Sequence, residues 1–152
     1  MEDFAAKDST MPGSGSTIAI VQARMGSTRL PGKVLADLCG APLLQRQLER
    51  VRRATSLDRV VVATSTDETD LPIAELCESL DVPCFRGDLN DVLARFLGAI
   101  NEFNPEVVVR ITADCPLISP SVIDSIVHSF FESDCDYLSN TLDPTFPDGV
   151  DV

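Results

Sequence analysis

Three short, mainly apolar runs, at positions 18–22, 59–63 and 107–111, constrain the fold of this chain more than any other feature. Their apolar residues follow one another directly, whereas a strand with one solvated face alternates between apolar and polar residues. Longer amphipathic segments separate the runs along the chain. Strands buried on both faces and separated by helices are typical of a parallel sheet between two helical layers. The sequence therefore predicts an α/β fold, a three-layer and mainly parallel sheet with helices on both faces.

Four amphipathic segments between and after these strands are predicted to be helices. Pro42 suits the first turn of a helix and opens the first of them. The others are predicted over about residues 70–80, 89–103 and 120–132, where apolar residues recur at helical spacing. In sheets of this kind, ligands bind beyond the carboxyl ends of the strands. The functional residues are therefore expected in the loops that follow the three strands.

The loop after the first predicted strand carries three cations, Arg24, Arg29 and Lys33. No acidic residue occurs between Asp8 and Asp37, although the chain has 24 acidic and 12 basic residues and a formal charge of −12. Glycines let backbone N–H groups approach phosphate oxygens, and cations neutralise the charge on those oxygens. The loop is therefore predicted to bind a polyanion such as a triphosphate. Its small residues are Gly26, Ser27, Thr28 and Gly32.

Two common phosphate-binding motifs do not fit this loop. The P-loop of ATPases has four residues between its glycines and a Ser or Thr after its Lys. Here five residues separate Gly26 from Gly32, and Val34 follows Lys33. The dinucleotide-binding pattern G-x-G-x-x-G does not occur in the chain. An ordinary solvated surface loop that carries arginines stays open as the alternative interpretation.

Length and composition limit the class of protein. The 152 residues, 44% of them hydrophobic, fit a single globular domain. Residues 1–17 are poor in apolar residues, so we predict a disordered lead followed by a nucleotide-binding domain over 18–152. No apolar run reaches the length of a membrane span, and the acidic balance argues against general nucleic-acid binding. Five cysteines without a C-x-x-C pair or zinc spacing are typical of a reduced protein, and we expect a cytoplasmic location.

Five motifs, in order along the chain, resemble those of a known enzyme family. They are the cationic loop at 22–33, then 60–67, 85–96 and 110–118, and a last motif in two stretches at 136–140 and 146–152. On these motifs the chain resembles the sugar cytidylyltransferases, in particular the spore-coat polysaccharide cytidylyltransferase-like branch. That branch is related to the CMP-sialic acid and CMP-Kdo synthetases.

The resemblance implies a fold of the nucleotide-diphospho-sugar transferase type and a homodimer in the full-length protein. It also implies an enzyme that transfers CMP from CTP to an acidic sugar and releases pyrophosphate. Arg24 and Lys33 are expected to act in catalysis, and Asp114 to hold Mg²⁺, which takes few protein ligands beside phosphate oxygens and water. The residues expected to bind the nucleotide are Ala23, Arg24, Gly26, Ser27, Arg29, Lys33, Ala63, Thr64, Asp67 and Thr112.

Some residues keep a second interpretation. Asp114 could form a turn instead of binding metal, since Asp is common in turns. Asp67 could order its own loop instead of holding the ribose. Arg95 lies in a predicted helix and could pair with Asp91 at i,i+4.

The end of the sequence and the function also leave alternatives open. The chain stops at Val152, within the last motif, so we expect it to be incomplete at its C-terminal end, and the role of Asp151 stays open. A glycosyltransferase is one rival function, although it expects an Asp-x-Asp metal motif and Asp114 is followed by Cys115 and Pro116. A non-catalytic nucleotide-binding module is the other.

Overall fold

The computed structural model describes residues 15–27 and 29–141, in which four parallel strands form one sheet. The strands are β1 (Thr17–Gln22), β2 (Arg59–Ser65), β3 (Cys84–Gly87) and β4 (Val107–Thr112). The strand order is β3-β2-β1-β4, so β1 lies between β2 and β4. This architecture confirms the predicted α/β fold with a parallel sheet.

Four helices surround the sheet, and their bounds lie close to those predicted. The third begins at Val92, about three residues later than predicted, because Asp91 caps it: its carboxylate accepts a hydrogen bond from the Ala94 amide at 2.8 Å. Single turns of 3₁₀ helix occur at Lys33–Leu35 and Glu68–Asp70. The helices are α1 (Leu43–Val51), α2 (Leu71–Ser79), α3 (Val92–Phe103) and α4 (Pro120–Glu132).

Strand β1 shows why the apolar runs do not alternate. Ala19 and Val21 pack in the core layer that contains residues of α1, α2 and α4. Ile18 and Ile20 point to the other face, in a second layer that contains Phe96 of α3. Both faces of the strand are therefore buried, and each fully buried aliphatic side chain contributes about 1.5–3 kcal/mol to folding.

Strand β3 was not predicted from the sequence. It has only four residues, it ends on Arg86 and Gly87, and all four are half-buried at the edge of the sheet. A short edge strand with a charged residue lacks the continuous apolar run that identified the other three.

The two ends of the chain fall mostly outside the described residues. The lead predicted over 1–17 is described only from Gly15 onward, and Thr17 is already the first residue of β1. Thr28 in the cationic loop and Asp151 are likewise outside the described residues. Within the described part of the chain, no helix combines the length and apolar character needed to cross a membrane.

Candidate functional site

The carboxyl ends of the three adjacent strands β2, β1 and β4 meet in one row. Gln22 at the end of β1 pairs with Ala63 of β2 on one side and with Thr112 of β4 on the other. The row continues by one residue, because the Ala23 amide donates to the Ala63 carbonyl and the Ala113 amide donates to the Gln22 carbonyl. In parallel sheets this edge, where the strand order reverses, is where ligands bind.

A cleft of about 320 Å³ opens at this edge, between the loop after β1 and the turn after β4. It brings together seven of the predicted site residues, with both loops contributing. The lining residues are Gln22, Arg24, Gly26, Ser27, Arg29, Lys33, Val34, Thr112, Ala113 and Asp114.

The loop after β1 folds back on the peptide unit of Met25. The Met25 carbonyl accepts hydrogen bonds from the Ser27 amide at 2.8 Å and from the Gly32 amide at 2.9 Å. Gly32 has a φ of 71°, in the left-handed region where a side chain would be strained. Lys33 then begins a turn of 3₁₀ helix. This compact path places the cations at both ends of the loop around the same cleft.

Lys33 and Asp114 form an ion pair inside the cleft. The Lys33 ammonium donates a hydrogen bond of 2.8 Å to a carboxylate oxygen of Asp114. This hydrogen bond from Lys33 holds the pKa of Asp114 below its ordinary value. The carboxylate is therefore ionised near neutral pH, and it can accept either an ammonium group or a metal ion.

Arg24 and Arg29 differ in their surroundings. Arg24 is half-buried and donates a hydrogen bond of 3.2 Å to the carbonyl of Leu89, in the segment between β3 and α3. Arg29 is exposed and lines the cleft. Arg24 is thus held in place by the protein, whereas Arg29 projects toward solvent beside the cleft.

The remaining predicted residues lie at the strand ends and do not line the cleft. The side chains of Ala23, Ala63 and Thr64 are buried, so these residues could contact a ligand only through their backbone groups. Asp67 lies on the β3 side of the site, where its carboxylate accepts hydrogen bonds from the amide and the hydroxyl of Thr69. These hydrogen bonds with Thr69 lower the pKa of Asp67, and they show that this carboxylate orders its own turn.

A metal ion would find one carboxylate in the described cleft. No group of three or more His, Cys, Asp or Glu side chains suited to a metal occurs in residues 15–27 and 29–141. Asp114 is 40% exposed at the cleft, so its oxygens are accessible. A single carboxylate fits Mg²⁺ when substrate phosphates and water supply the other oxygens. This donor set is consistent with a metal that arrives together with a phosphate ligand.

Two residues of α1 that the sequence did not single out form hydrogen bonds with backbone groups next to the site. Gln47 of α1 is fully buried and donates a hydrogen bond of 2.7 Å to the Thr112 carbonyl. Arg50 donates to the Ile118 carbonyl at 2.8 Å and thereby holds the turn that contains Asp114. A polar residue on the inward face of a predicted helix was the signal for Gln47, whereas nothing in the local pattern indicated Arg50.

Arg95 does not form the ion pair with Asp91 suggested by their spacing. Its guanidinium is buried and donates to the carbonyls of Asp88 and Leu89. Asp91 instead caps α3. The i,i+4 rule failed here because it applies to exposed helix faces, and Arg95 points inward.

A second hollow, of about 440 Å³, lies at the opposite edge of the sheet. It is lined by residues at the start of β2, such as Arg59, and by Arg52 after α1. Arg52 donates to the carbonyls of Leu80 and Asp81. None of the predicted site residues lies there, so we place the functional site in the cleft at the carboxyl edge.

Comparison with known proteins supports the same assignment. The chain is 44% identical over 122 residues to protein MJ1063 of Methanocaldococcus jannaschii, covering 80% of this chain and 50% of that protein. It is 40% identical to the spore coat polysaccharide biosynthesis protein SpsF of Bacillus subtilis, covering 78% and 51%. It is 39% identical to a 3-deoxy-manno-octulosonate cytidylyltransferase of Zea mays, covering 74% and 38%. The chain therefore spans about half or less of the length of these relatives.

A solved structure of a cytidylyltransferase from Leptospira borgpetersenii is similar in fold and sequence. It superposes with a TM-score of 0.85 at 36% identity, covering 90% of this chain and 58% of that one. The sequence model described as Cytidylyltransferase matches residues 18–148, which include every residue assigned to the cleft. The chain belongs to the cytidylyltransferase family.

Proposed function

We propose that this protein transfers CMP from CTP to an acidic sugar and releases pyrophosphate. One observation carries the proposal: Arg24, Arg29, Lys33 and Asp114 line a single cleft at the carboxyl edge of the sheet, in a chain of the cytidylyltransferase family. A triphosphate needs several cations close together, and the loop after β1 supplies them. The cleft and the family therefore support the same substrate.

In this proposal the cationic loop holds the phosphates. Arg29 is exposed beside the cleft and is free to make the bidentate contacts that arginine forms with phosphate. Lys33 acts as a point charge, and it already lies beside the cleft carboxylate. Gly26 contributes its backbone amide and Ser27 its hydroxyl at the mouth of the cleft.

The strand ends would accommodate the base and the ribose. Ala23 and Ala63 bring their backbone groups to the row, and Thr112 lines the cleft at the end of β4. Small side chains at these positions let a planar base approach the backbone, which can recognise its edge by hydrogen bonds. Thr64 and Asp67 lie further toward β3 and would act through backbone groups and loop order.

Asp114 would hold Mg²⁺ together with phosphate oxygens. When bound, the metal would supply positive charge to the phosphoryl group as its negative charge develops. Lys33 is hydrogen-bonded to the same carboxylate, so it would remain next to the phosphates when the nucleotide binds. Asp114 would therefore keep the Lys33 ammonium group close to the reacting phosphate and would hold the metal ion there.

The reaction would be an in-line displacement at the α-phosphorus. A hydroxyl oxygen of the sugar forms the new P–O bond, while the bond from the α-phosphorus to the pyrophosphate oxygen breaks. The hydroxyl proton leaves to solvent or base, and the negative charge goes to pyrophosphate beside Arg24 and Lys33. Such a step depends mainly on positioning and on charge stabilisation.

The acidic sugar is proposed from the relatives. One of them is named as a cytidylyltransferase for 3-deoxy-manno-octulosonate, a sugar acid, and another for a role in spore coat polysaccharide biosynthesis. We likewise propose a homodimer in the full-length protein and a cytoplasmic location, where CTP is available. A non-catalytic nucleotide-binding module is the second candidate, because the chain spans only part of these relatives.

Pyrophosphate release tests the proposed function. The protein is incubated with CTP and Mg²⁺ and with each member of a panel of sugar acids. We expect release that requires both CTP and one class of sugar acid. CTP binding without release under any combination would favour the non-catalytic module. Release of a nucleoside diphosphate from a nucleotide sugar would instead support a glycosyltransferase.

A further inference from the structure

Asp70 is a buried carboxylate that contacts both the loop after β1 and the end of β2. It lies at the end of the 3₁₀ turn before α2 and is 1% exposed. Its two oxygens accept hydrogen bonds from different segments of the chain. One accepts from the Met25 amide at 2.7 Å, and the other accepts from the amide and the hydroxyl of Ser65, at 3.3 and 2.5 Å. Buried acids are rare unless all their oxygens are used in this way.

The backbone of Met25 is the point on which the cationic loop folds. Its N–H donates to Asp70, and its carbonyl accepts from the amides of Ser27 and Gly32. The two peptide units that flank the Met25 Cα are thus both held by hydrogen bonds, one to Asp70 and the other to the loop. Because Ser65 is the last residue of β2, Asp70 fixes the Met25 backbone to the end of a core strand.

A buried cation, Arg95, lies close to Arg24. Burial, and next the nearby charge of Arg24, lower the pKa of Arg95, and the charge of Asp70 opposes this change. The carbonyl of Leu89 accepts from both Arg24 and Arg95. An isolated buried charge costs several kcal/mol, and the charge of Asp70 favours the charged form of Arg95. The shared carbonyl of Leu89 therefore holds Arg24 beside a buried cation.

We propose that Asp70 is a positioning residue of the nucleotide site, which holds the Met25 backbone and through it the phosphate-binding loop in the conformation that receives a triphosphate. The inference rests on the proposed function, because it assigns the loop to phosphate. Asp70 makes no contact with the substrate in this role. It acts through the backbone of residues 25–32, which it fixes to the end of β2.

The expected consequence is selective for the phosphates. The base site is built from strand ends that pair with each other, and these pairs do not involve Asp70. The phosphate site is built from the loop that Met25 organises. Loss of the Asp70 carboxylate should therefore weaken binding of CTP much more than binding of cytidine. A residue with only a general structural role would weaken both equally.

Two variants and one matched control test this role. Asp70→Asn keeps the size of the side chain but removes its charge and one acceptor, and Asp70→Ala removes the hydrogen bonds entirely. Asp124→Asn is the control. Asp124 on α4 likewise accepts from a backbone amide and from hydroxyls, those of Thr55 and Ser56 at the opposite edge of the sheet. Amide NMR signals report hydrogen exchange at Met25 and the binding of CTP and cytidine.

In Asp70→Asn we expect faster exchange of the Met25 amide and about a tenfold loss of CTP affinity, as for a hydrogen bond to a charged group. Cytidine affinity should change less than about twofold, within experimental scatter. Asp124→Asn should lose stability but keep the exchange of Met25 and both affinities. If Asp70→Ala does not fold, Asp70→Asn alone decides.

Unchanged Met25 exchange and unchanged CTP affinity in a folded Asp70→Asn protein would overturn the proposal. Equal losses of CTP and cytidine affinity would also overturn it, because the role would then be general. A wild-type protein that binds neither ligand would instead overturn the proposed function. In that case the Met25 exchange comparison still decides whether Asp70 holds the loop.

Discussion

The ammonium group of Lys33 and the carboxylate of Asp114 meet at 2.8 Å across 81 positions of sequence. One residue follows β1 and the other follows β4, so the contact depends on the adjacency of these two strands. Both side chains line the cleft. A ligand that carries both phosphate groups and a metal ion can contact Lys33 through its phosphates and Asp114 through the metal, while the two side chains stay close together.

The identity of the base should matter for binding. CTP with Mg²⁺ should raise the unfolding temperature more than ATP, GTP or UTP does, because a ligand that binds only the native state stabilises it. The loop can bind any triphosphate, whereas the strand ends would select the base. Thermal unfolding with each nucleotide at equal concentration measures this. Equal shifts for all four would leave a general triphosphate site.

Arg29→Ala should weaken CTP binding by about tenfold, because an exposed arginine loses its charge-assisted hydrogen bonds to phosphate. Stability should change by less than about 0.5 kcal/mol, as for most surface substitutions. Arg53→Ala, an exposed arginine after α1, is the matched control and should leave binding intact. Calorimetric titration measures the affinity for CTP, and thermal unfolding measures the stability. An Arg29→Ala protein with a clearly lower unfolding temperature than the wild type would show that Arg29 has a structural role.

Asp114→Asn should fold and still bind CTP through the cations of the loop, but most of the Mg²⁺ dependence of binding should disappear. Asn keeps the shape of the side chain and forms turns nearly as well, so the variant tests charge and not packing. Asp81→Asn is a suitable control, because Asp81 is exposed outside the cleft and its positive φ is tolerated by Asn. CTP affinity is measured with and without Mg²⁺. Unchanged metal dependence would exclude Asp114 as the ligand.

Lowering the pH should reduce the free energy of unfolding, because Asp124 becomes protonated. Burial raises the pKa of this carboxyl, but hydrogen bonds from Ser56 and Thr55 outweigh it, and the pKa is lowered overall. The unfolded chain therefore binds the proton more readily, and the contribution of Asp124 is complete above the ordinary aspartate value. That contribution should be lost as the solution is acidified between about pH 5 and pH 2.

Denaturant unfolding of the wild type and Asp124→Asn over this range measures the effect. The difference between the two free energies of unfolding should be largest near neutral pH and should shrink as the pH falls. A constant difference would show that the charge of Asp124 does not contribute.

The sequence predicted the parts of the fold that depend on local pattern. The run at 18–22 identified β1 because both of its faces are buried. The rule for the carboxyl ends of parallel strands also predicted that the loops of Lys33 and Asp114 would converge. Local pattern could not show that these two side chains pair, because that depends on rotamers and on the order of the strands.

The roles of the residues that support the site could not be predicted from the local sequence pattern, for the same reason. Asp70 reads as one acid in an ordinary polar turn, and its contact with Met25 spans 45 positions. Arg95 reads as an exposed helical cation, but its helix turns it toward the core. Gln47 likewise contacts the end of β4 through its hydrogen bond to the Thr112 carbonyl, 65 positions away. Each role is defined by a tertiary contact.

The central place of β1 has a consequence for how the protein acquires its site. Strand β1, the first of the described strands along the chain, pairs in parallel with β2 and also with β4, the last of the described strands to be made. Pairing of distant parallel strands is slow, because a long loop must close before its contacts form. The cleft cannot exist until the turn at Asp114 has been synthesised and has docked beside Lys33. Until then, the cationic loop is exposed on an unfinished sheet, so nucleotide binding would report late steps of folding.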